Sequence, residues 1–459
     1  GSGDTVTLAR GASQSGFGRT GTVDWQTSIK TTTFSAVNGE GYFVNTTSGA
    51  VTVNLPAGSV GAIVAIKDYA QTFDTANCTI SANGSEKIEN ITADLVLSTE
   101  GVAVTLVYAD ATRGWQAVNS NEVTNIQKFV TATGGTITTV CTNYKVHTFT
   151  GPGTFCVSCA GNAGGSNTID YLVIAGGGGG GGDQANGYGS GGGGAGGYRE
   201  SNGTASGSYT IGLPANSPVA GLPVTVQGYP IAVGGGGTAG CSGPAAPSAS
   251  NGVRGTASTA LCITSTGGGG GAFGGSPAPA FSVVPGGVGP GGSGGGGSGP
   301  AITTTGAGVG NTPPVSPSQG NNGGTARNSS PKYGGGGGGG ASAVGENFDD
   351  AIPGNTAGDG GAGASSSING TPTARAGGGG AGAYNSLPNG WNTEDGSGGA
   401  GGGGNGGQVV PGNSHDAASG TANTGGGGGG AASAHPSSPG RVNAGAGGSG
   451  IVIIRYKFQ

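Results

Sequence analysis

Tyr171-Leu172-Val173-Ile174-Ala175-Gly176-Gly177-Gly178-Gly179-Gly180-Gly181-Gly182 is the stretch on which the fold turns: an apolar strand runs without a turn into seven consecutive glycines. The chain closes on a second such strand, Ile451-Val452-Ile453-Ile454-Arg455-Tyr456. Between them glycine runs recur at Gly191–Gly194, Gly234–Gly237, Gly267–Gly271, Gly294–Gly297, Gly334–Gly340, Gly377–Gly380, Gly401–Gly404 and Gly425–Gly430. Gly at this density ordinarily marks a flexible linker, because it buries too little apolar area to offset chain entropy. A linker, however, has no reason to be bracketed by apolar strands.

The arrangement predicts that each run is an extended polyproline-type helix, with three residues per turn and no internal hydrogen bonds. Its amides point outward and must find partners on neighbouring runs. Only chains without side chains approach closely enough, which accounts for interruptions by small residues alone, as in Gly194-Ala195-Gly196 and Gly380-Ala381-Gly382. Gly176, Gly182, Gly334, Gly340, Gly425 and Gly430 mark the ends of the three longest runs and are expected to be structural. Seven residues span only about 22 Å at 3.1 Å each, so the chain should cross a compact slab repeatedly and leave its loops at the ends.

Of the 114 glycines only 16 lie in the first 150 residues, leaving 98 for the rest, and this shift divides the chain. Short β-branched runs bounded by turn residues, at Tyr42–Val44, Val51–Leu55, Ala62–Ile66, Leu95–Leu97, Val102–Tyr108 and Trp115–Val118, predict an all-β module. Their spacing suits a small sandwich or barrel. Val102, Val104, Leu106 and Tyr108 share one face and should point to its core. The expected organisation is a connecting segment at 1–24, a β module at 25–122, a linker at 123–143 and a glycine-rich domain at 144–459, with little or no α-helix. Lys145–Thr150 and Thr154–Ser158 are expected to pair around the turn Gly151-Pro152-Gly153.

Charged residues make up 8% of the chain and the net charge is −5, which argues against recognition of nucleic acid or anionic membrane through a basic patch. No stretch of about 18 apolar residues is present, so no membrane insertion is expected. The absence of Met points to a trimmed product with sequence upstream of Gly1.

Tyr171–Gly182, Gly191-Gly192-Gly193-Gly194-Ala195-Gly196-Gly197-Tyr198 and Gly448-Ser449-Gly450 leading into Ile451–Tyr456 resemble the glycine-rich domain of bacteriophage tail-fibre and virion structural proteins over about 145–456. The segment Tyr42–Val118 is similar to β modules that recur in phage fibre proteins. The resemblance implies a virion appendage, assembled with other tail-fibre proteins and, as fibres commonly are, a homotrimer. Some tail-tip adhesins of T-even-like phages also pack glycine helices and bind receptors through the segments between them. By that likeness the partner is a host surface polysaccharide or outer-membrane protein. A purely structural spike or extracellular filament is one alternative, and an ice-binding protein, which calls for aligned Thr or Ala, is another.

No enzyme chemistry is expected. Gly291-Gly292-Ser293-Gly294-Gly295 fits Gly-x-Ser-x-Gly only through composition, since that elbow needs a strand before it and a helix after it. His415-Asp416 reads as an exposed loop pair, and no cofactor is implied. Cys141, His147, Cys156 and Cys159 offer a weak zinc pattern; a disulfide from Cys141 to Cys156 or a buried thiol is the better reading. Cys241 and Cys262 bracket a loop that a disulfide could close. Binding is expected at loop aromatics, which offer contact area at low entropic cost. Tyr384, Leu387 and Trp391 form the richest such segment, beside Glu394 and Asp395, and Phe348, Tyr333 and Tyr198 are further candidates. Asp349 and Asp350 are a weak Ca²⁺ pair. For loop aromatics and acids alike, the competing reading is a cover for the slab's end or a solvated surface.

Overall fold

The computed structural model describes residues 23–118, 128–184, 189–207, 209–212, 219–243, 250–275, 289–298, 306–329, 332–349, 356–386, 391–392, 394–410, 414–434 and 442–459. These residues form strands, turns and extended runs, with no α-helix among them, so the all-β expectation holds. The chain divides into two units, Gly1–Lys128 with Asn162–Gly165, and Phe129–Gly161 with Ser166–Gln459.

In the first unit the chain alternates between two sheets. One contains β1 (Asp24–Lys30), β3 (Glu40–Val44), β5 (Ile63–Asp68), β8 (Ala103–Asp110) and β9 (Gly114–Ala117); the other contains β2 (Phe34–Ser35), β4 (Val51–Asn54), β6 (Cys78–Ser81) and β7 (Leu95–Leu97). β1, β3 and β5 run parallel, as do β2, β4 and β6. The two sheets share one core that includes Val44, Val53, Ile66, Phe73, Ile80, Leu97 and Trp115. Val102, Val104, Leu106 and Tyr108 all face it, as alternation requires. The parallel winding has no counterpart in the sequence reading, because period-two alternation locates a strand without saying what it pairs with.

The second unit begins inside the stretch expected to be a linker. β10 (Val130–Thr133) and β11 (Thr136–Val140) are strands of its two sheets. One sheet has the order β11, β12 (Tyr144–Phe149), β27 (Ile451–Lys457), β14 (Thr168–Ile174), β15 (Tyr198–Glu200), with β16 (Leu222–Pro223) joined to β14. The other has the order β10, β13 (Gly153–Ala160), β17 (Gly228–Ala232), β18 (Ser258–Ala260), β19 (Ile263–Ser265). The expected hairpin of β12 with β13 is therefore absent: Gly151-Pro152-Gly153 turns a corner between sheets.

The two bracketing strands are direct neighbours. β14 and β27 pair antiparallel, with Leu172 opposite Ile453 and Ile174 opposite Ile451. One of their faces packs with Phe149, Phe155 and Tyr456 between the sheets. The other packs Leu172, Ile174, Ile451 and Ile453 against Ala195, Ala341 and Ala376 of the glycine field. Burial on both faces explains why these strands read as continuous apolar runs rather than alternating ones.

Beyond the strands the glycine runs form a lattice with a period of three. Gly176, Gly179 and Gly182 donate to the carbonyls of Thr256, Val253 and Ser250; Gly177 and Gly180 donate to Gly448 and Gly445; Gly178 and Gly181 donate to Gly194 and Gly191. Those three neighbours run antiparallel. Three parallel neighbours donate back: Gly237, Gly240 and Gly243 to Gly177, Gly180 and Asp183; Gly268, Gly271 and Gly274 to Gly176, Gly179 and Gly182; Gly428 and Ala431 to Gly178 and Gly181. The run is thus enclosed by six others, its donors and acceptors shared equally among them. This is the threefold symmetry of the extended helix expressed as packing. An added Cβ at Gly178 would overlap the carbonyl of Gly269, and one at Gly193 that of Gly178. Close approach, more than conformational freedom, is what demands glycine here.

At its margins the lattice is sealed by side chains. Asn322 accepts from the Gly310 amide (2.9 Å), Asn405 from Gly398 (2.9 Å), Asn347 from Thr325 (2.7 Å) and Asp359 from Ser397 (2.6 Å). Thr256 Oγ1 accepts from Gly235 (2.7 Å), and Ser250 Oγ from Cys241 (2.9 Å). Each takes an amide that has no further run beside it, since a buried or half-buried N–H left unpaired is costly.

Candidate binding surface

The direction of the runs sorts the described connections to one end of the lattice or the other. β14, β15 and β27 lie at one end, as do the turn from β18 to β19 and the hairpin of β22 (Ala364–Ser366) with β23 (Thr373–Arg375). At the far end lie the hairpin of β20 (Arg327–Ser329) with β21 (Lys332–Gly334), and β24 (Tyr384–Ser386), which pairs with both β25 (Trp391–Asn392) and β26 (Ser433–Ala434). Isolated bridges tie this end together: Asp183 to Gly274, Gln184 to Gly243, Asp349 to Thr356, Thr356 to Glu394, and Gln408 to His415.

The far end gathers most of the residues singled out in the sequence. Tyr333 and Tyr384 meet edge to face, 5.7 Å between ring centroids and 87° between planes. Tyr384 is only 8% exposed and Phe348 only 5%. Phe348 lies so close over Gly334 that a Cβ there would overlap its ring. Trp391 stands opposite Ser386 on β25. His415 Nε2 lies 3.9 Å from Asp395 Oδ1. Leu387 and Asp350 fall outside the described residues.

Three of the expected contact residues are corrected by burial. Phe348 and Tyr384 are packed into the end of the lattice, the covering role that competes with binding for any loop aromatic. Tyr198 is at the opposite end, 1% exposed, and donates its hydroxyl to Glu200 Oε2 at 2.7 Å. Glu200 also accepts from the Gly212 amide (2.7 Å) and from Ser366. Burial raises its carboxyl above the ordinary range in spite of those donors. This buried polar knot joins β15 to the hairpin of β22 and β23, and nothing in the local sequence announced it.

The cysteine expectations are corrected as well. All six are free thiols. Cys141 sits at positive φ in the turn from β11 to β12, while Cys156 lies exposed on β13 in the other sheet. Cys241 and Cys262 are both exposed, one in a glycine run and the other in the turn from β18 to β19, and no bond closes the loop. His147 is fully buried: its Nδ1 faces the Gly134 carbonyl at 2.7 Å and therefore carries the proton, leaving Nε2 to accept from the Tyr456 hydroxyl at 3.0 Å. Both nitrogens are used, so His147 and the neighbouring thiols form no zinc centre. Among the described residues no three His, Cys, Asp or Glu side chains gather to hold a cation; Asp349 forms a backbone bridge with Thr356.

A family described as a glycine-rich domain matches residues 148–457. The chain belongs to this family. The match begins within β12 and ends on the last residue of β27, so the glycine-rich domain comprises the lattice together with its bracketing strands. The Gly1–Lys128 part of the first unit and strands β10 and β11 precede the match, while Asn162–Gly165 of that unit falls within it. No curated protein matches the chain.

Proposed function

We propose that this chain is a non-enzymatic bacteriophage tail-fibre or related virion appendage protein whose glycine-rich domain holds recognition loops for a host surface polysaccharide or outer-membrane protein. One observation carries the reading: the lattice separates a strand-framed end from an end that collects Tyr333, Asp349, Trp391, Glu394, Asp395 and His415. Loops fixed by a rigid scaffold are where binding residues concentrate. Residues held in place before contact lose little further entropy on binding, and the described residues of this end are tied by backbone bridges. The first unit serves in this reading as a fibre module, and assembly into homotrimers with other virion proteins belongs to the same proposal.

A second reading, a structural spike or filament without a receptor, draws support from the burial of Phe348, Tyr384 and Tyr198. The two are separated by applying the fluorescently labelled chain to a panel of bacterial isolates and purified surface polysaccharides. The adhesin reading expects retention on a subset of them, and loss of retention in the paired variant Leu387→Ala, Trp391→Ala with an unchanged unfolding midpoint. Retention on none, or full retention by the variant, overturns it.

A further inference from the structure

We propose that Asn83 is a site of spontaneous deamidation in this protein, and that the lattice and paired strands shield other Asn-Gly steps from the same reaction. The dipeptide recurs at Asn38-Gly39, Asn83-Gly84, Asn251-Gly252, Asn322-Gly323 and Asn405-Gly406, among other places. The chemistry needs two free groups. The glycine amide gives up its proton to base, its nitrogen attacks the side-chain carbonyl carbon of the asparagine, and the bond to the side-chain nitrogen breaks. That nitrogen leaves as ammonia, taking up a proton. Water then opens the cyclic imide at either carbonyl to an aspartyl or isoaspartyl linkage. Water is consumed, ammonia is released, and no oxidant or reductant takes part.

In four of the five pairs both groups are held. Gly252, Gly323 and Gly406 donate their amides to Gly271 (2.9 Å), Gly308 (3.0 Å) and Gly396 (2.9 Å). The side-chain oxygens of Asn251, Asn322 and Asn405 accept from Phe273, Gly310 and Gly398, each at 2.9 Å. In the first unit Gly39 donates to the Ile63 carbonyl (2.7 Å), while Asn38 accepts from the Ile63 amide (3.0 Å). Closing the imide at any of these requires both bonds to open first, so the rate is multiplied by the small population of the opened state.

Asn83-Gly84 is built differently. Both residues are exposed, and Gly84 lies at φ +59° with nothing within 4 Å of an added Cβ. Among the described residues the Gly84 amide has no hydrogen-bond partner, and the one bond of this step is from the Glu86 amide to the Asn83 backbone carbonyl (3.1 Å). The imide can form without displacing a neighbour. Two further pairs are intermediate: the Asn202 side chain is held by Thr204, and the Gly370 amide by Ser367.

The test is a time course of the full chain in mildly alkaline buffer, native and in denaturant, read by peptide mapping with isoaspartate detection. In the native chain Asn83 should convert at least about tenfold faster than Asn251, Asn322 and Asn405. In denaturant the rates should draw together. Asn83→Gln should abolish the native signal at that peptide without raising the others. Equal native rates at Asn83 and Asn322, or a native Asn83 that stays intact while the denatured chain reacts, overturns the proposal.

Discussion

A Cβ placed on Gly338 would overlap the carbonyl of Gly193, the same oxygen that accepts the amide of Gly379 at 2.9 Å. A methyl group at Gly338 must therefore push against a bonded backbone rather than a flexible side chain. Gly338→Ala should cost about 1–3 kcal/mol, the usual penalty of overpacking. Gly235, at the margin, has only Thr256 Oγ1 near, at 3.9 Å. Gly235→Ala should be neutral or stabilise by about 0.4–1 kcal/mol through the unfolded chain. Denaturant midpoints of the two variants decide the matter; equal losses would show that close approach is not what selects glycine.

The marginal caps predict a local effect. Asn405→Ala leaves the Gly398 amide without its acceptor and should cost about 0.5–1.5 kcal/mol. Hydrogen exchange at Gly398 should quicken while Gly193, deep in the lattice, keeps its protection. Asn405→Asp, which retains an accepting oxygen, should restore slow exchange.

His147 predicts a pH dependence. Burial lowers its pKa from the ordinary 6.5, more than the Gly134 carbonyl raises it. The unfolded chain therefore binds the proton more tightly, so stability is full above about 6.5 and falls as pH drops from there toward the lowered value. Glu200, raised above its ordinary 4.5 by burial, acts with the opposite sign: its contribution is full below 4.5 and is lost as pH rises through the raised value. His147→Gln should flatten the fall in unfolding midpoint between pH 7.5 and pH 5.5, and an unchanged slope would remove His147 as its cause.

Alkylation without reductant should label Cys141, Cys156, Cys241 and Cys262, which are exposed, and spare Cys78, which is buried with its pKa pushed up to about 12 by desolvation. Recovery of a peptide linking Cys241 to Cys262 would contradict the free thiols.

Val102 to Tyr108, the strands that bracket the glycine field and the gathering of loops at its ends were all legible, because alternation and the absence of side chains leave direct marks in the sequence. The pairing of one run with another was not. Gly178 bonds to Gly194 and Gly428 through groups that every glycine possesses, so nothing in the residues tells one partner from another. The burial of Tyr198 was hidden for a related reason: the polar knot that receives its hydroxyl at Glu200 is closed by Ser366, distant in the chain. The sealing role of Asn322, Asn405 and Thr256 had a faint mark, a polar residue beside the glycines at each margin, but composition alone reads such residues as solvated loops.

Because successive donors in a run address three different neighbours, the lattice imposes a spatial reading frame. One inserted glycine rotates everything after it by a third of a turn and redirects each amide to the wrong partner, whereas three restore the phase and lengthen the rod by one repeat. Viable length changes within the runs should therefore come in triplets of residues.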